Sequence, residues 1–215
     1  MRRSDPDYSL YVVTDRHCMA APSVESSVEQ ALRGGATLVQ LREKDISSLE
    51  FYRTAVAVKK ITDAFGVPLI VNDRADVALA AGASGLHVGQ DDLPASAARR
   101  LIGDGILGVS VSNRAEAVRA QEDGADYLGV GAMFPTATKT DADAVSMDEL
   151  RRIRSAVSIP IVVIGGISRA TVPLFHNTDI DGIAVVSAIM AADDITAAAR
   201  ELKRLFQAGK ENGAE

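Results

Sequence analysis

The chain contains one cysteine among its 215 residues, Cys18, and this excludes an internal disulfide. A CxxC pair, which often marks a structural zinc site, is therefore absent as well. A single cysteine suits a reducing compartment, so we expect the protein in the cytoplasm. The apolar stretch near the amino terminus stops at Asp15 after a few residues, which is too short for a signal-peptide core or a membrane span.

An excess of positive charge is also absent. The chain has 23 Lys and Arg residues against 29 Asp and Glu residues, for a net charge of −6. Broad binding to nucleic acid or to an anionic membrane relies on a basic surface, so we expect neither partner, and we expect small-molecule substrates instead. Any anion site must be a local cluster of cations. The motifs GxSxG, HExxH and the glycine-rich P-loop are missing, which removes acyl transfer, zinc proteolysis and P-loop nucleotide hydrolysis.

Short runs rich in Val, Ile and Leu alternate with segments whose apolar residues recur three and four positions apart. The first kind is typical of buried strands and the second of amphipathic helices. The eight strand-like runs are residues 9–15, 37–43, 68–73, 85–90, 106–111, 127–132, 160–166 and 182–188. Strand then helix, eight times, predicts an α/β fold, a TIM (β/α)8 barrel forming a single domain over residues 1–215. A doubly wound open sheet is the alternative, and residues 207–215 are expected to be a frayed tail.

An internal sequence repeat indicates that the chain is built from similar units. The segments "GGATLVQL", "GASGLHVG", "GADYLGVG" and "TDIDGIAVV" each lead from a helix end into an even-numbered strand. Glycine or another residue that tolerates left-handed backbone closes a helix at such points. The spacing corresponds to two strand-helix units, as expected of a chain built from repeated supersecondary pieces.

The second predicted strand ends in the polar segment "QLREKD". Gln40, Arg42 and Lys44 occupy alternate positions and should project to one face, while Leu41 and Glu43 project to the other. An ordinary solvated strand end is one interpretation. The other is an anion clamp, because active sites of such barrels lie at the carboxyl ends of the strands.

Two acids follow neighbouring predicted strands. Asp73 and Asp92 could together hold a hard cation such as Mg²⁺, which needs only one or two carboxylates when substrate phosphates supply further oxygens. Both also stand ahead of predicted helices, with Asp76 and Asp91 beside them, so helix capping is the alternative.

Glycines and small hydroxyl residues follow the later strands. Gly165 and Gly166 after the seventh strand could let backbone N–H groups approach a phosphate, although glycine pairs also simply make turns. The segment "PTATK" adds hydroxyls beside Lys139 and is otherwise an ordinary solvated loop. Ser110 could position a substrate, whereas His87 lies within a strand and is more typical of a hydrogen-bonded interior residue than of a base.

The blocks "VTD", "QLREK", "VNDR", "LHVGQDD", "GVS", "FPTATK", "VIGGI" and "VVSAI" occur in this order and closely resemble the thiamine phosphate synthase family from about Leu10 to Ile189. The resemblance implies a transferase on a TIM barrel. Its members join 4-amino-2-methyl-5-(diphosphooxymethyl)pyrimidine to a thiazole phosphate and release pyrophosphate with the help of Mg²⁺, through a pyrimidine-methyl carbocation. Ser112 departs from the family pattern, in which a His or Arg often stands at this position.

The resemblance also implies roles for matching residues. Arg42, Lys44 and Lys139 would stabilise the leaving pyrophosphate, and Asp73 and Asp92 would bind Mg²⁺. The residues implied to bind the pyrimidine diphosphate are Gln40, Leu41, Arg42, Glu43, Lys44, Asn72, Ser110 and Lys139. Those implied to bind the thiazole phosphate are Thr136, Ala137, Thr138, Gly166, Val186 and Ser187.

Three other functions are compatible with parts of this pattern. A thiazole tautomerase would share the barrel and the thiazole phosphate pocket without needing a magnesium pyrophosphate site. A non-catalytic phosphate-binding barrel would hold a ligand without turnover, and a phosphosugar-type barrel would carry a catalytic acid and base at strand ends. Asp73, Asp92 and Lys139 together favour the synthase. The sequence leaves the oligomeric state open, and a homo-oligomer is compatible with it.

Overall fold

Eight short strands pair in sequence order in the computed structural model, which describes residues 6–135 and 144–212. Every pair is parallel, and the last strand pairs with the first, so the sheet closes into a barrel. This confirms the predicted TIM barrel and excludes the open sheet. The strands are β1 Leu10–Val13, β2 Leu38–Leu41, β3 Leu69–Asn72, β4 Gly85–Val88, β5 Ile106–Val111, β6 Tyr127–Val130, β7 Ile161–Val163 and β8 Gly182–Val185.

Helices follow most strands and cover the outside of the barrel. Four of them begin after an N-cap side chain that accepts the N–H three residues later: Ser23, Ser47, Asn113 and Ser146. The α-helices are α1 Val24–Arg33, α2 Ser48–Ala64, α3 Ala75–Ala80, α4 Ala95–Ile102, α5 Arg114–Glu122, α6 Met147–Ala156, α7 Ser187–Met190 and α8 Ile195–Asn212. Within the described ranges, none of these helices has the length and apolar character needed to cross a membrane.

Two segments differ from the simple alternation. The unit after β7 contains only a 3₁₀-helix, Val172–Phe175, with Pro173 in its first turn. The last helix continues to Asn212, so residues 207–212, where we expected tail, are helical. Close packing explains the extension, because Gly209 is buried so tightly against the ring of His176 that a Cβ at residue 209 would lie 2.1 Å from it.

Apolar side chains form two separate cores. The larger core fills the space between the strands and the surrounding helices. The smaller core lies inside the barrel and is built from alternate strand residues, among them Tyr11, Leu38, Ile70 and Tyr127. The barrel interior is thus packed rather than open, and ligands are restricted to its mouth.

The amino end of the barrel is closed by four similar hydrogen bonds, which we call the bottom clamps. In each, the residue just before an even-numbered strand accepts, through its side-chain oxygen, an N–H at the start of the preceding odd-numbered strand. The pairs are Thr37 with Leu10 (3.0 Å), Ser84 with Leu69 (3.2 Å), Asp126 with Leu107 (2.7 Å) and Asp181 with Ile161 (2.8 Å). The internal sequence repeat therefore corresponds to a repeated two-strand unit of the structure.

Candidate active site

A cavity opens at the carboxyl ends of the strands, where β2, β3, β4 and β5 face β7 and β8 across the barrel mouth. Its walls include most of the residues that the sequence assigns to the site. Those lining the cavity are Gln40, Arg42, Lys44, Asn72, Asp73, Asp92, Ser110, Gly166, Val186 and Ser187. The fold thus brings together side chains that are widely separated in sequence.

The alternation at the end of β2 places three polar residues at the cavity. Gln40 is 4% exposed and lies deepest, while Arg42 and Lys44 extend from the loop that follows. The N–H of Arg42 donates to Thr14 Oγ1 at 3.0 Å, which ties this loop to the end of β1. The two cations therefore reach the cavity from a fixed backbone.

The other two residues of this segment do not line the cavity, and their assignment to the substrate stays a prediction. Leu41 is fully buried in the core outside the barrel. Glu43 receives two hydrogen bonds from Arg16, from Nε at 3.0 Å and from Nη2 at 3.1 Å, and its side chain is 2% exposed. The side-chain period of two in a strand accounts for both placements. Glu43 stabilises the loops after β1 and β2.

Asp73 and Asp92 both line the cavity, and each affects the pKa of the other. Lys44 Nζ lies 2.6 Å from Asp73 Oδ2, and the N–H of Gly89 donates to Asp92 Oδ2 at 2.8 Å. Asp73 has a φ of 60°, in the left-handed region that Asp tolerates better than most residues, and its N–H donates to the carbonyl of His87 at 2.8 Å. This backbone conformation turns its carboxyl group toward Asp92.

The two acids have opposite pKa shifts. Burial raises the pKa of Asp73, and the neighbouring Asp92 adds to this, although Lys44 acts in the other direction. Burial also acts to raise the pKa of Asp92, but its hydrogen bonds with Asp73 and the Gly89 N–H, together with the charge of Lys44, outweigh burial and lower that pKa. When the pair holds one proton, that proton therefore lies mainly on Asp73.

Neither acid caps a helix, although capping was the alternative interpretation. The N-cap residues of α3 and α4 are Arg74 and Pro94, and neither helix has a side-chain cap. Asp76 instead pairs with Arg74, which lowers the pKa of Asp76 to about 2. Asp73 and Asp92 are consequently not needed at these helix ends.

The acid pair fits a hard cation of the Mg²⁺ class. Such a cation binds oxygen ligands and keeps several waters, so two carboxylates beside a space for phosphate oxygens are sufficient. Among the described residues no cluster of three or more His, Cys, Asp and Glu side chains could hold a metal, so the larger ligand sets of zinc are not found there.

Glycine backbone forms the opposite wall, after β7. Gly165 has a φ of 95° and Gly166 a φ of 64°, and both conformations favour glycine. A Cβ at residue 165 would lie 2.6 Å from Ala132 Cβ, and one at residue 166 would lie 2.6 Å from Phe134 Cβ. The absence of side chains here allows the loops after β6 and β7 to approach each other and leaves backbone facing the cavity.

The wall continues into the segment after β8. Val186 lines the cavity, and Ser187 begins α7. The first N–H groups of a helix lack carbonyl partners within that helix. Together with the glycine backbone, this segment suits a phosphate group.

A hydrogen-bonded group of five side chains, which we call the interior network, extends through the barrel beneath the cavity. Gln40 Nε2 donates to Tyr11 Oη at 2.8 Å, and Tyr11 Oη lies 2.8 Å from Tyr127 Oη. Tyr127 Oη lies 2.9 Å from His87 Nδ1, and His87 Nε2 lies 2.9 Å from Ser110 Oγ. The structure confirms that His87 is a hydrogen-bonded interior residue, and it adds Tyr11 and Tyr127, which the sequence analysis did not select.

Glycine also creates the space for this network. Gly108 lies between His87 and Tyr127 in the sheet, and a Cβ there would come within 2.1 Å of the Tyr127 ring and 2.4 Å of His87 Nδ1. Alternation within "ILGVSV" places Gly108 and Ser110 on the same interior face. Gly108 within an apolar strand is the one trace of the network in the sequence, and it does not identify His87 and Tyr127, which meet it only through the register of the sheet.

Four assigned residues, Thr136, Ala137, Thr138 and Lys139, lie outside the described residues. Their roles in binding thiazole phosphate and stabilising pyrophosphate stay predictions.

Comparison with known proteins identifies the family of this chain. The family model described as thiamine monophosphate synthase matches residues 10–189. The chain is 60% identical over 201 residues to the thiamine-phosphate synthase of Clostridium beijerinckii, covering 93% of this chain and 96% of that protein. It is 54% identical over 206 residues to the enzyme of that name from Chloroflexus aurantiacus, covering 95% of each.

A solved structure extends the likeness to three dimensions. Thiamine phosphate pyrophosphorylase from Pyrococcus furiosus superposes with a TM-score of 0.89 at 38% identity, covering 96% of this chain and 98% of that one. A 3-hexulose-6-phosphate synthase, with a TM-score of 0.67 and 17% identity over 92% of this chain and 99% of its own, shares the fold alone. The match of the family model over most of the barrel, with the 60% identity to a relative of nearly equal length, shows that this chain belongs to the thiamine monophosphate synthase family.

Proposed function

We propose that this chain couples 4-amino-2-methyl-5-(diphosphooxymethyl)pyrimidine with a thiazole phosphate to give thiamine phosphate and pyrophosphate. The bond between the pyrimidine methylene carbon and the diphosphate oxygen breaks, and its electron pair leaves with pyrophosphate. The thiazole nitrogen then forms the new bond to the methylene carbon. Family membership supports the reaction class, and the residues that line the cavity support the mechanism.

One observation supports this mechanism above the others. Arg42 and Lys44 reach the same cavity as the acid pair of Asp73 and Asp92. Departing pyrophosphate develops negative charge, and preorganised cations stabilise such charge most effectively in a site that excludes water. Two cations beside two acids match a leaving group that is a polyanion accompanied by a metal ion.

We assign Mg²⁺ to Asp73 and Asp92. When bound, Mg²⁺ supplies Lewis-acid stabilisation to the leaving diphosphate oxygens. Arg42 and Lys44 bind those oxygens directly, and Lys44 must give up part of its contact with Asp73 to do so. The thiazole phosphate binds across the mouth, at the Gly166 backbone and at the start of α7.

No general base is needed in this scheme. The thiazole nitrogen attacks through its own lone pair, and pyrophosphate leaves as an anion without requiring a proton. Exclusion of water is more important, because water would capture an electron-deficient methylene carbon in place of the thiazole. We therefore expect loss of cations to lower the rate more than loss of any single proton acceptor.

The same proposal includes the partners of the protein and its compartment. Its partners are two small-molecule substrates, and we place the protein in the cytoplasm as a soluble enzyme, in which a homo-oligomer is compatible with function. Cys18 takes no part, since it lies among partly buried residues packed on the core, and burial raises the pKa of its thiol.

The deciding experiment supplies both substrates with and without Mg²⁺ and measures thiamine phosphate and pyrophosphate. Equal release of the two products that depends on Mg²⁺ supports the proposal. Isomerisation of the thiazole alone would identify a tautomerase instead. Ligand binding without any product would identify a non-catalytic phosphate-binding barrel.

A further inference from the structure

The interior network contains groups with a fixed supply of hydrogens. Each tyrosine and the serine have one hydroxyl hydrogen, a neutral histidine has one ring N–H, and the amide of glutamine has two hydrogens. A buried hydroxyl that has two neighbours and accepts from one of them keeps its own hydrogen bonded only by giving it to the other. The direction of a single bond in the network therefore decides the direction of those that follow.

The bond at Gln40 sets this direction. Its Nε2 can only donate, so Tyr11 accepts at 2.8 Å. The other partner of the Tyr11 hydroxyl is Tyr127 Oη at 2.8 Å, so the Tyr11 hydrogen bonds there. Tyr127 then gives its hydrogen to Nδ1 of His87. An Nδ1 atom that accepts carries no proton, so the ring hydrogen lies on Nε2.

The last bond reaches the cavity. In this tautomer, His87 Nε2 donates to Ser110 Oγ, which lies 2.9 Å away, and the Ser110 hydrogen is left available to a ligand. The backbone of Ser110 is held independently, because Gln90 Nε2 donates to its carbonyl oxygen at 2.7 Å. Only the direction of the hydroxyl, and not the position of the residue, depends on the network.

Burial keeps the hydrogens in place. It raises the pKa of Tyr11 and that of Tyr127 well above the ordinary value, so both phenols stay neutral at physiological pH. Gly108 holds the rings of His87 and Tyr127 close together, since any side chain at that position would occupy the space where they meet.

We propose that the interior network is directional, that it runs from Gln40 to Ser110, and that it holds His87 as the Nε2–H tautomer so that Ser110 presents a hydrogen-bond donor to the cavity. Tyr11, Tyr127 and His87 are then positioning residues for substrate binding, and they act through Ser110 on an acceptor atom of the ligand. The identity of that ligand, the pyrimidine diphosphate, rests on the proposed function. The direction of the network does not.

The first test reads the tautomer in the unsubstituted protein. Nitrogen-15 NMR of ¹⁵N-histidine-labelled protein distinguishes protonated from unprotonated ring nitrogens, and His87→Gln assigns the His87 signals by their loss. We expect an unprotonated Nδ1 and a protonated Nε2. A protonated Nδ1 beside a bare Nε2, or a doubly protonated ring, overturns the proposal. This measurement requires no turnover, so its result is independent of the proposed reaction.

The second test asks whether the network acts through Ser110. Tyr127→Phe removes one hydroxyl from the network, Ser110→Ala removes its end, and the double variant carries both. Loss of a neutral hydrogen bond changes binding by roughly twofold to tenfold, and we expect Tyr127→Phe to raise KM for the pyrimidine diphosphate by such a factor. Coupled residues lose less together than the sum of their separate effects.

The double variant separates a positioning role from a structural one. If the network acts through Ser110, adding Tyr127→Phe to Ser110→Ala changes KM little further. In Tyr127→Phe alone, the ring proton of His87 should be distributed over Nδ1 and Nε2 instead of lying on Nε2 only. Fully additive losses, with the His87 signals unchanged in Tyr127→Phe, contradict the proposal. Tyr52→Phe is the matched control, because Tyr52 is 39% exposed on α2 and does not line the cavity.

Discussion

Lys44 Nζ lies 2.6 Å from Asp73 Oδ2, so a cation assigned to the substrate is held by an acid assigned to the metal. Asp92 acts to raise the pKa of Asp73, whereas Lys44 acts to lower it. A divalent cation bound at Asp73 would compete with Lys44 for this carboxylate. The proposed metal and diphosphate sites are therefore linked through Asp73.

Asp92→Asn tests the metal role. Asparagine can still accept the Gly89 N–H through its amide oxygen, so we expect little change in the melting temperature. It lacks the negative charge, and the Mg²⁺ concentration needed for half-maximal activity should rise at least about tenfold, a loss that even outer-shell partners of a metal produce. Asp91→Asn is the control, because Asp91 is exposed and does not line the cavity. Unchanged Mg²⁺ dependence in Asp92→Asn would rule out the metal role.

The affinity for Mg²⁺ should depend on pH through Asp73. The folded-state pKa of Asp73 is raised, so its proton persists above the ordinary titration range of aspartic acid, which is about pH 3.9. A metal must expel that proton, and affinity should increase as the pH rises through the raised pKa and decrease as it falls. Calorimetric titration of the protein with Mg²⁺ alone, in buffers of different ionisation enthalpy, measures the proton released by the protein. Binding without proton release, at a pH just above 3.9, would contradict a raised pKa of Asp73.

The raised pKa of Asp73 also affects folding. A group with a raised folded-state pKa contributes stability that is present below its unfolded pKa and is lost as pH rises through the folded pKa. In metal-free protein, Asp73→Asn should therefore be relatively more stabilising at neutral pH than at pH values below the ordinary aspartate pKa. Urea unfolding of both proteins at two pH values measures the difference. A difference in free energy of unfolding that does not change with pH would argue against the raised pKa.

Lys139 and Thr138 separate the two anion sites. If Lys139 stabilises charge that appears only in the transition state, Lys139→Ala should lower kcat and kcat/KM by similar factors, about a hundredfold to a thousandfold. Thr138→Ala should mainly raise KM for the thiazole phosphate, since that phosphate does not react. Single-turnover kinetics at saturating Mg²⁺ removes any contribution from product release. If Lys139→Ala changed only the KM for the thiazole phosphate, Lys139 would contact that phosphate and not the leaving pyrophosphate.

Gly166→Ala tests whether the glycine backbone after β7 binds the thiazole phosphate, and Gly82→Ala is a closely matched control. Gly166 and Gly82 both have a φ of 64°, so alanine at either position carries a similar backbone cost of about 1–2 kcal/mol. Only at residue 166 would the added Cβ meet Phe134 Cβ at 2.6 Å, whereas nothing lies within 4 Å at residue 82. Gly166→Ala should therefore lose more stability and also raise KM for the thiazole phosphate. If Gly166→Ala and Gly82→Ala changed stability and KM for the thiazole phosphate equally, Gly166 would have no role in binding that phosphate.

The strand positions could be predicted from the sequence because burial on both faces of a barrel strand produces short apolar runs. All eight were found, and β5 agrees with the predicted range of 106–111. Alternation also predicted that Leu41 and Glu43 face away from Gln40. The structure confirms this alternation, and the assignment of both residues to the substrate, which the family resemblance implies, stays a prediction.

The interior network could not be predicted in the same way. Tyr11 and Tyr127 are 116 residues apart, and alternation tells which side of a strand a residue faces but not its depth in the barrel. Depth is set by the stagger between strands, which depends on closure of the whole sheet. The acid pair was predicted more readily, because Asp73 directly follows β3 and Asp92 lies in the short loop after the neighbouring β4.

The bottom clamps have a consequence for the order of folding. They join residues only 27, 15, 19 and 20 positions apart, whereas closure of the sheet requires β1 to meet β8. Contacts between nearby residues lose less chain entropy when they form, so four two-strand nuclei can assemble before the ring closes. Each nucleus is anchored at the end remote from the substrates. Substitutions in the catalytic loops can therefore accumulate during evolution while these early folding steps are retained.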